Sequence, residues 1–209
     1  MIKSWKELPV GKWMEIRDIQ NDEAIDSQYT MTVAMLSVLS DIAEEDLYDM
    51  NITEFSKMTG NMAFLLEPMT KVAVCDKYKI GGYELVLVKD LKGLTASQFI
   101  DYQNFITDAD KYIVELLSVF LIPKGKKYCK DYDIADVQRV IREYLSIADA
   151  EAIAAFFLLS FKILYKSMEI SLTKKLKRAK KKMKAEEATQ IEQALQNLEK
   201  SGDGFLSLM

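Results

Sequence analysis

A chain of 209 residues, 49% of them apolar and with a net charge of −4 at pH 7, has material for one large domain or for one domain plus an extension; disorder over most of its length is excluded. It contains no histidine, which rules out Ser-His-Asp triads, Cys-His pairs and HExxH zinc sites. With only 3 prolines and 8 glycines, breakers are scarce and long helices are expected.

The first stretch, KSWKELPVGKWMEIRDIQ, holds both tryptophans. Ser4 is positioned to cap a short turn, with Glu7 as its capping-box partner, and Pro9 and Gly11 are expected to break that turn. Trp5 and Trp13 read as packing anchors of an N-terminal arm. Asp22 to Ser40 reads as a helix, because Ile25, Tyr29, Thr32, Val33 and Leu36 recur at three-four spacing. In the following segment Thr53 is a candidate N-cap, Phe55, Met58, Met62 and Leu65 form the apolar stripe, and Pro68 is the stop. The 11 methionines read as core filler, with an adaptable contact surface as the alternative.

At KVAVCDKYKIGGYELVLVKDL the period changes to alternation. Gly81 and Gly82 join two β-type runs, which is a hairpin signal over about 72–88, since the two-residue primed turns need positive φ. An isolated hairpin is marginal in water, so it must lie on the helical body or pair with another chain.

Helices then resume. Thr95 is an N-cap, with Phe99, Tyr102, Gln103 and Ile106 on one side; a second helix runs from near Ala109 to Ile122 and ends at Pro123. KGKKYCKDYD is a polar loop. Asp133 caps a helix whose buried stripe is Val137, Val140, Ile141 and Tyr144, and Asp149 caps the last and longest helix. Ala152 to Tyr165 is apolar on nearly every side, interrupted by Lys162. This run is shorter than the roughly twenty residues of a bilayer span and reads as a central helix buried all round.

No Gly or Pro interrupts the chain between Ala148 and Lys200, so the core helix is expected to continue into a basic run. That run carries Lys174, Lys175, Lys177, Arg178, Lys180, Lys181, Lys182 and Lys184 with no acid between them; with these eight charges removed from the total of −4, the remainder of the chain stands at −12. The charges encircle a helix instead of forming one stripe, which disfavours base-specific groove reading. Three targets remain: solvent or the acidic body of its own or a neighbouring subunit, nucleic-acid phosphate, and membrane. Beyond it, Ile191, Leu195 and Leu198 make a thin apolar seam, and SGDGFLSLM reads as a flexible link with an apolar end.

The resulting expectation is a mainly α protein: a helical domain with one β-hairpin over 1–170, a basic helical extension over 171–200 and a flexible apolar tail over 201–209. Chemistry is sparse. No GxxxxGK[ST], GxGxxG or GxSxG occurs. Asp108 and Asp110 lack the glycine and distal glutamate of a calcium loop, and KGKKYCK lacks the strand-to-helix context of a phosphate site. Cys75 and Cys129 have no metal-ligand spacing and read as reduced, partly buried thiols of a cytosolic product; the start of the chain has no apolar signal-peptide region. No catalytic residue, metal or cofactor is assigned, and no enzyme activity is expected.

The segments SWKELPVGKWMEI, YKIGGYELVLVKDLKGLTASQFIDYQNF, LLSVFLIPKGKKYCKDYD and IADAEAIAAFFLLSFKIL resemble small proteins encoded by tailed bacteriophages of gut bacteria, including the crAss-like group. The resemblance covers about residues 4 to 170 and brings no catalytic residues. It implies a phage structural protein acting by protein–protein contact, as a cargo-type component inside the head or head–tail region of the virion. The alternatives are an assembly chaperone absent from the finished particle and a DNA-associated accessory protein. The implied partners are other copies of itself or other phage structural proteins, with non-specific DNA contact through the basic extension as an option and no membrane. The implied locations are the virion and, during assembly, the host cytoplasm.

Overall fold

The computed structural model describes residues 1–69, 71–109 and 111–179. The protein is mainly helical, with a small three-stranded antiparallel sheet. The chain divides into two units, Met1–Ala154 and Ala155–Met209.

The short turn that begins at Ser4 ends before Pro9, as expected, and a helix that the sequence reading did not assign starts directly after it. Helix α1 spans Val10–Asn21 with Pro9 at its N-cap, φ −65°. Proline is tolerated there because its missing N–H falls among the donors that a first turn leaves unpaired. Gly11 is needed for close packing: a Cβ at this position would lie 2.9 Å from the Arg142 carbonyl oxygen. Before α1, Glu7 accepts from the Lys3 N–H at 3.0 Å, so Ser4 and Glu7 form a turn and no reciprocal capping box. Trp5 packs edge-on against Phe64, at 5.3 Å between ring centroids.

The single helix expected over Asp22 to Ser40 is shorter. Helix α2 spans Gln28–Ser40, capped by Ser27, and Ile25 lies in the preceding loop, where Asp22 Oδ1 accepts from the Ala24 N–H at 2.9 Å. That local bond offers the backbone an alternative to the helix. Helix α3 spans Glu44–Tyr48 and α4 spans Ile52–Gly60, followed by a 3-10 turn over Asn61–Leu66. The cap of α4 is Asn51, whose side chain accepts from the Thr53 N–H at 2.8 Å; Thr53 itself is inside the helix.

Strands β1 (Lys77–Ile80) and β2 (Tyr83–Leu87) form the expected hairpin, paired Ile80 to Tyr83 and Lys77 to Val86. Gly81 and Gly82 have φ of +52° and +81°, as a primed turn requires. The hairpin is not isolated. A third strand, β3 (Leu121–Pro123), pairs with β2 through Leu85–Pro123 and Leu87–Leu121. Leu121 and Ile122 therefore leave the helix assigned to them: α6 spans Ile113–Phe120 and stops where β2 supplies backbone partners. The Val88 N–H donates to Phe120 O and the Lys124 N–H to Glu84 O, both at 2.9 Å. The outer edge of β1 carries Lys77 and Lys79, a common guard against further strand pairing.

Helix α5 (Ala96–Phe105) has a full capping box between Thr95 and Gln98. Its buried line is Gln98, Tyr102 and Ile106, and Phe99 is exposed. Gln98 tolerates burial because its amide is satisfied: Oε1 accepts from the Thr95 N–H at 3.1 Å, and Nε2 donates to Val119 O at 3.0 Å. Helix α7 (Ile134–Tyr144) is capped by Asp133 and buries Val137, Val140 and Ile141. Tyr144, assigned to the same stripe, is exposed at the last residue of α7, where its ring lies beside the hairpin turn.

The α7–α8 junction ties to the N-terminus of the chain. The Val10 N–H donates to Leu145 O at 2.9 Å, and the Ile147 N–H to Leu8 O at 2.8 Å. Helix α8 spans Ile147–Ala179. Its cap is Ser146, with Asp149 as the reciprocal acceptor: the Asp149 N–H donates to Ser146 Oγ at 3.1 Å, and Ser146 Oγ donates to Asp149 Oδ2 at 2.6 Å.

Candidate interaction surface

Among the described residues no group of three or more His, Cys, Asp or Glu is placed to hold a metal ion. Asp108 Oδ1 accepts from the Lys111 N–H at 3.2 Å as a local turn, and Asp110 lies outside the described residues. Glu44, Glu45 and Asp46 form the first turn of α3, where the helix dipole favours negative charge.

The KGKKYCK loop is anchored structurally. Tyr128 donates to Asp101 Oδ2 at 2.9 Å; burial, then that carboxylate, hold its phenol protonated well above the ordinary range. Lys124 pairs with Glu84 at 3.0 Å, a hydrogen bond that lowers the pKa of the Glu84 carboxyl. Both cysteines are free and exposed, not partly buried as expected. Cys129 follows the buried Tyr128 and has a φ of +51°.

The basic run is helical as far as it is described. Lys174 is exposed on α8; Lys175, Lys177 and Arg178 lie on the backbone of the same helix; and Lys180, Lys181, Lys182 and Lys184 lie outside the described residues. The apolar seam at Ile191, Leu195 and Leu198 and the tail over 201–209 lie outside them as well.

The apolar part of α8 is not buried all round. Ile153, Phe157 and Phe161 are buried, and Phe156 is half-buried. Leu159, Ile163 and Ile170 are 57%, 62% and 48% exposed. At 3.6 residues per turn these three fall within about 40° of one another and roughly 160° from the line of Phe157 and Phe161. The helix therefore has two apolar faces, of which one is open. Exposed lysines border the open face, Lys162 and Lys166 on one side and Lys174 on the other. No helix among the described residues is long and apolar enough to cross a membrane.

A second open apolar surface lies on the Met1–Ala154 unit. Tyr29 contacts Tyr48 and Phe55, with ring centroids at 5.9 and 5.5 Å. Tyr29, Tyr48 and Ile52 are 50%, 47% and 73% exposed. Asp41, Glu44, Glu45, Asp46, Asp49 and Glu54 surround these residues in sequence, with no Lys or Arg from Asp41 to Ser56. Asp41 pairs with Lys12 at 2.6 Å, and the other five acids make no ion pair with any described residue.

Sequence reasoning missed both surfaces. The only signal for the α8 stripe was an apolar run too full for one face to bury. No family model, curated protein sequence or solved structure matches this chain.

Proposed function

We propose that this protein works by protein–protein contact in the building of a tailed-phage virion, as a structural component of the head or head–tail region. The observation that carries the contact role is the exposed stripe of Leu159, Ile163 and Ile170 on α8, bordered by lysines. Leu159 and Ile163, one turn apart, with Ile170 about two turns on beyond Lys166 and Ser167, make an open, lysine-edged apolar face suited to helix-in-groove contact. The phage assignment rests on the sequence resemblance. The protein is made in the host cytoplasm and carried into the particle.

A second reading, an assembly chaperone that leaves before the particle is finished, is favoured by apolar exposure away from α8, notably at Leu66 and Ile52. Such surfaces suit a client that covers them transiently. Mass spectrometry of purified particles separates the two. A virion component is present at fixed stoichiometry, whereas a chaperone is found only with assembly intermediates. Absence from both overturns the virion-building role. The third reading, a DNA-associated protein, predicts retention on duplex DNA with a log–log salt slope of about −0.9 per phosphate neutralised. Replacing Lys177, Arg178, Lys181 and Lys182 with Gln abolishes that retention if it exists.

A further inference from the structure

The two open apolar surfaces carry opposite charge. Between Lys162 and Arg178 the chain has six basic residues and a single acid, Glu169. The aromatic patch of α2–α4 sits among unpaired acids on α3 and α4. We infer that the α8 stripe of one copy docks on the Tyr29–Tyr48–Ile52 patch of a second copy, head to tail. This rests on the protein–protein reading above and names its partner as the same chain.

Charge decides the pairing mode. Stripe against stripe would set Lys162, Lys166 and Lys174 against their own equivalents. Patch against patch would oppose Glu45 and Asp49 to themselves. Like charges brought together in a desolvated contact are penalised, whereas stripe on patch neutralises both. The contact is therefore heterologous: each copy keeps one free stripe or one free patch, and further copies add until a ring closes or a filament grows. Leu159 and Ile163 supply the apolar centre, and lysine–carboxylate pairs form the rim.

Sedimentation of the full chain tests this. Wild type should associate in a concentration-dependent way that weakens with salt, because rim charges are screened. Lys162→Glu with Lys166→Glu should leave monomers, as should Glu45→Lys with Asp49→Lys. Mixing the two variants should restore open association with the two chains alternating, since the intact stripe of one meets the intact patch of the other and the reversed stripe meets the reversed patch. All four changes in one chain should restore open association. Every altered side chain is exposed, and unchanged circular dichroism and melting will confirm folding. A wild type that stays monomeric, single-surface variants that associate like wild type, or a mixture that stays monomeric would each overturn the inference. A monomeric wild type that is nonetheless found in particles sinks only the self-docking. A self-associating protein absent from particles and assembly intermediates sinks only the virion role.

Discussion

Gly81 of the hairpin turn rests directly on Val140 of α7: a Cβ built at Gly81 would lie 2.9 Å from Val140 Cγ1 and the same distance from Tyr144 Cδ2. The adjacent Gly82 has open space around it. Both have positive φ, yet only Gly81 combines that conformation with a closed contact. Gly81→Ala should therefore lose about 2–4 kcal/mol, the sum of left-handed strain and overpacking. Gly82→Ala should lose only the strain, about 1–2 kcal/mol, and Gly82→Asn less, because Asn tolerates the left-handed region. Urea melts of the three variants check the order. Equal losses at the two positions would refute the docking of the turn on α7.

Helix α8 should separate stability from association. Phe157 is buried and Leu159 is not. Phe157→Ala should cost roughly 3–5 kcal/mol as a large-to-small core change. Leu159→Ser should change stability by less than about 0.5 kcal/mol, as exposed substitutions do, while weakening association. Melting and sedimentation of both variants suffice. A Leu159→Ser chain as unstable as Phe157→Ala would mean that the stripe is part of the core.

Alkaline pH should unfold the protein through its tyrosines. Burial pushes Tyr78 up to about 12 against the hydrogen bond from the Cys75 N–H, and burial likewise pushes Tyr132 up to about 12. Their unfolded value is 10.0, so the folded state favours the protonated phenols. The associated stability is fully present below pH 10 and is lost as pH rises through about 12. The melting temperature should fall across that window, in step with tyrosinate absorbance. Tyr78→Phe should make the fall shallower, and an unchanged slope would refute the assignment.

Cys75 and Cys129 should both react with a disulfide reagent in the native protein, because both are exposed. The thiol titre before and after denaturation should agree. A native titre of one would show that one of the two is shielded.

What the sequence determined by itself was local. The Gly-Gly turn, the Thr95 cap and the Asp133 cap were all legible, because each is decided by hydrogen bonds and φ preferences within a few residues. The mainly helical class was legible for a similar reason, from apolar period and the scarcity of breakers. The tertiary structure decided whatever depends on a surface arriving from elsewhere in the chain. Leu121 and Ile122 became strand because β2 offered backbone partners, although their own neighbours favour helix. Val10–Asn21 became a helix that accommodates Gly11, where the α7 backbone lies so close that a Cβ would meet the Arg142 carbonyl oxygen at 2.9 Å. Tyr144 and Phe99 kept their place in an apolar pattern and lost their burial. In α8 the sequence supplied apolar residues on nearly every side and could not say which side would be covered. Periodicity records which residues are able to be buried. Only packing selects Phe157 and Phe161 for that role and leaves Leu159, Ile163 and Ile170 open.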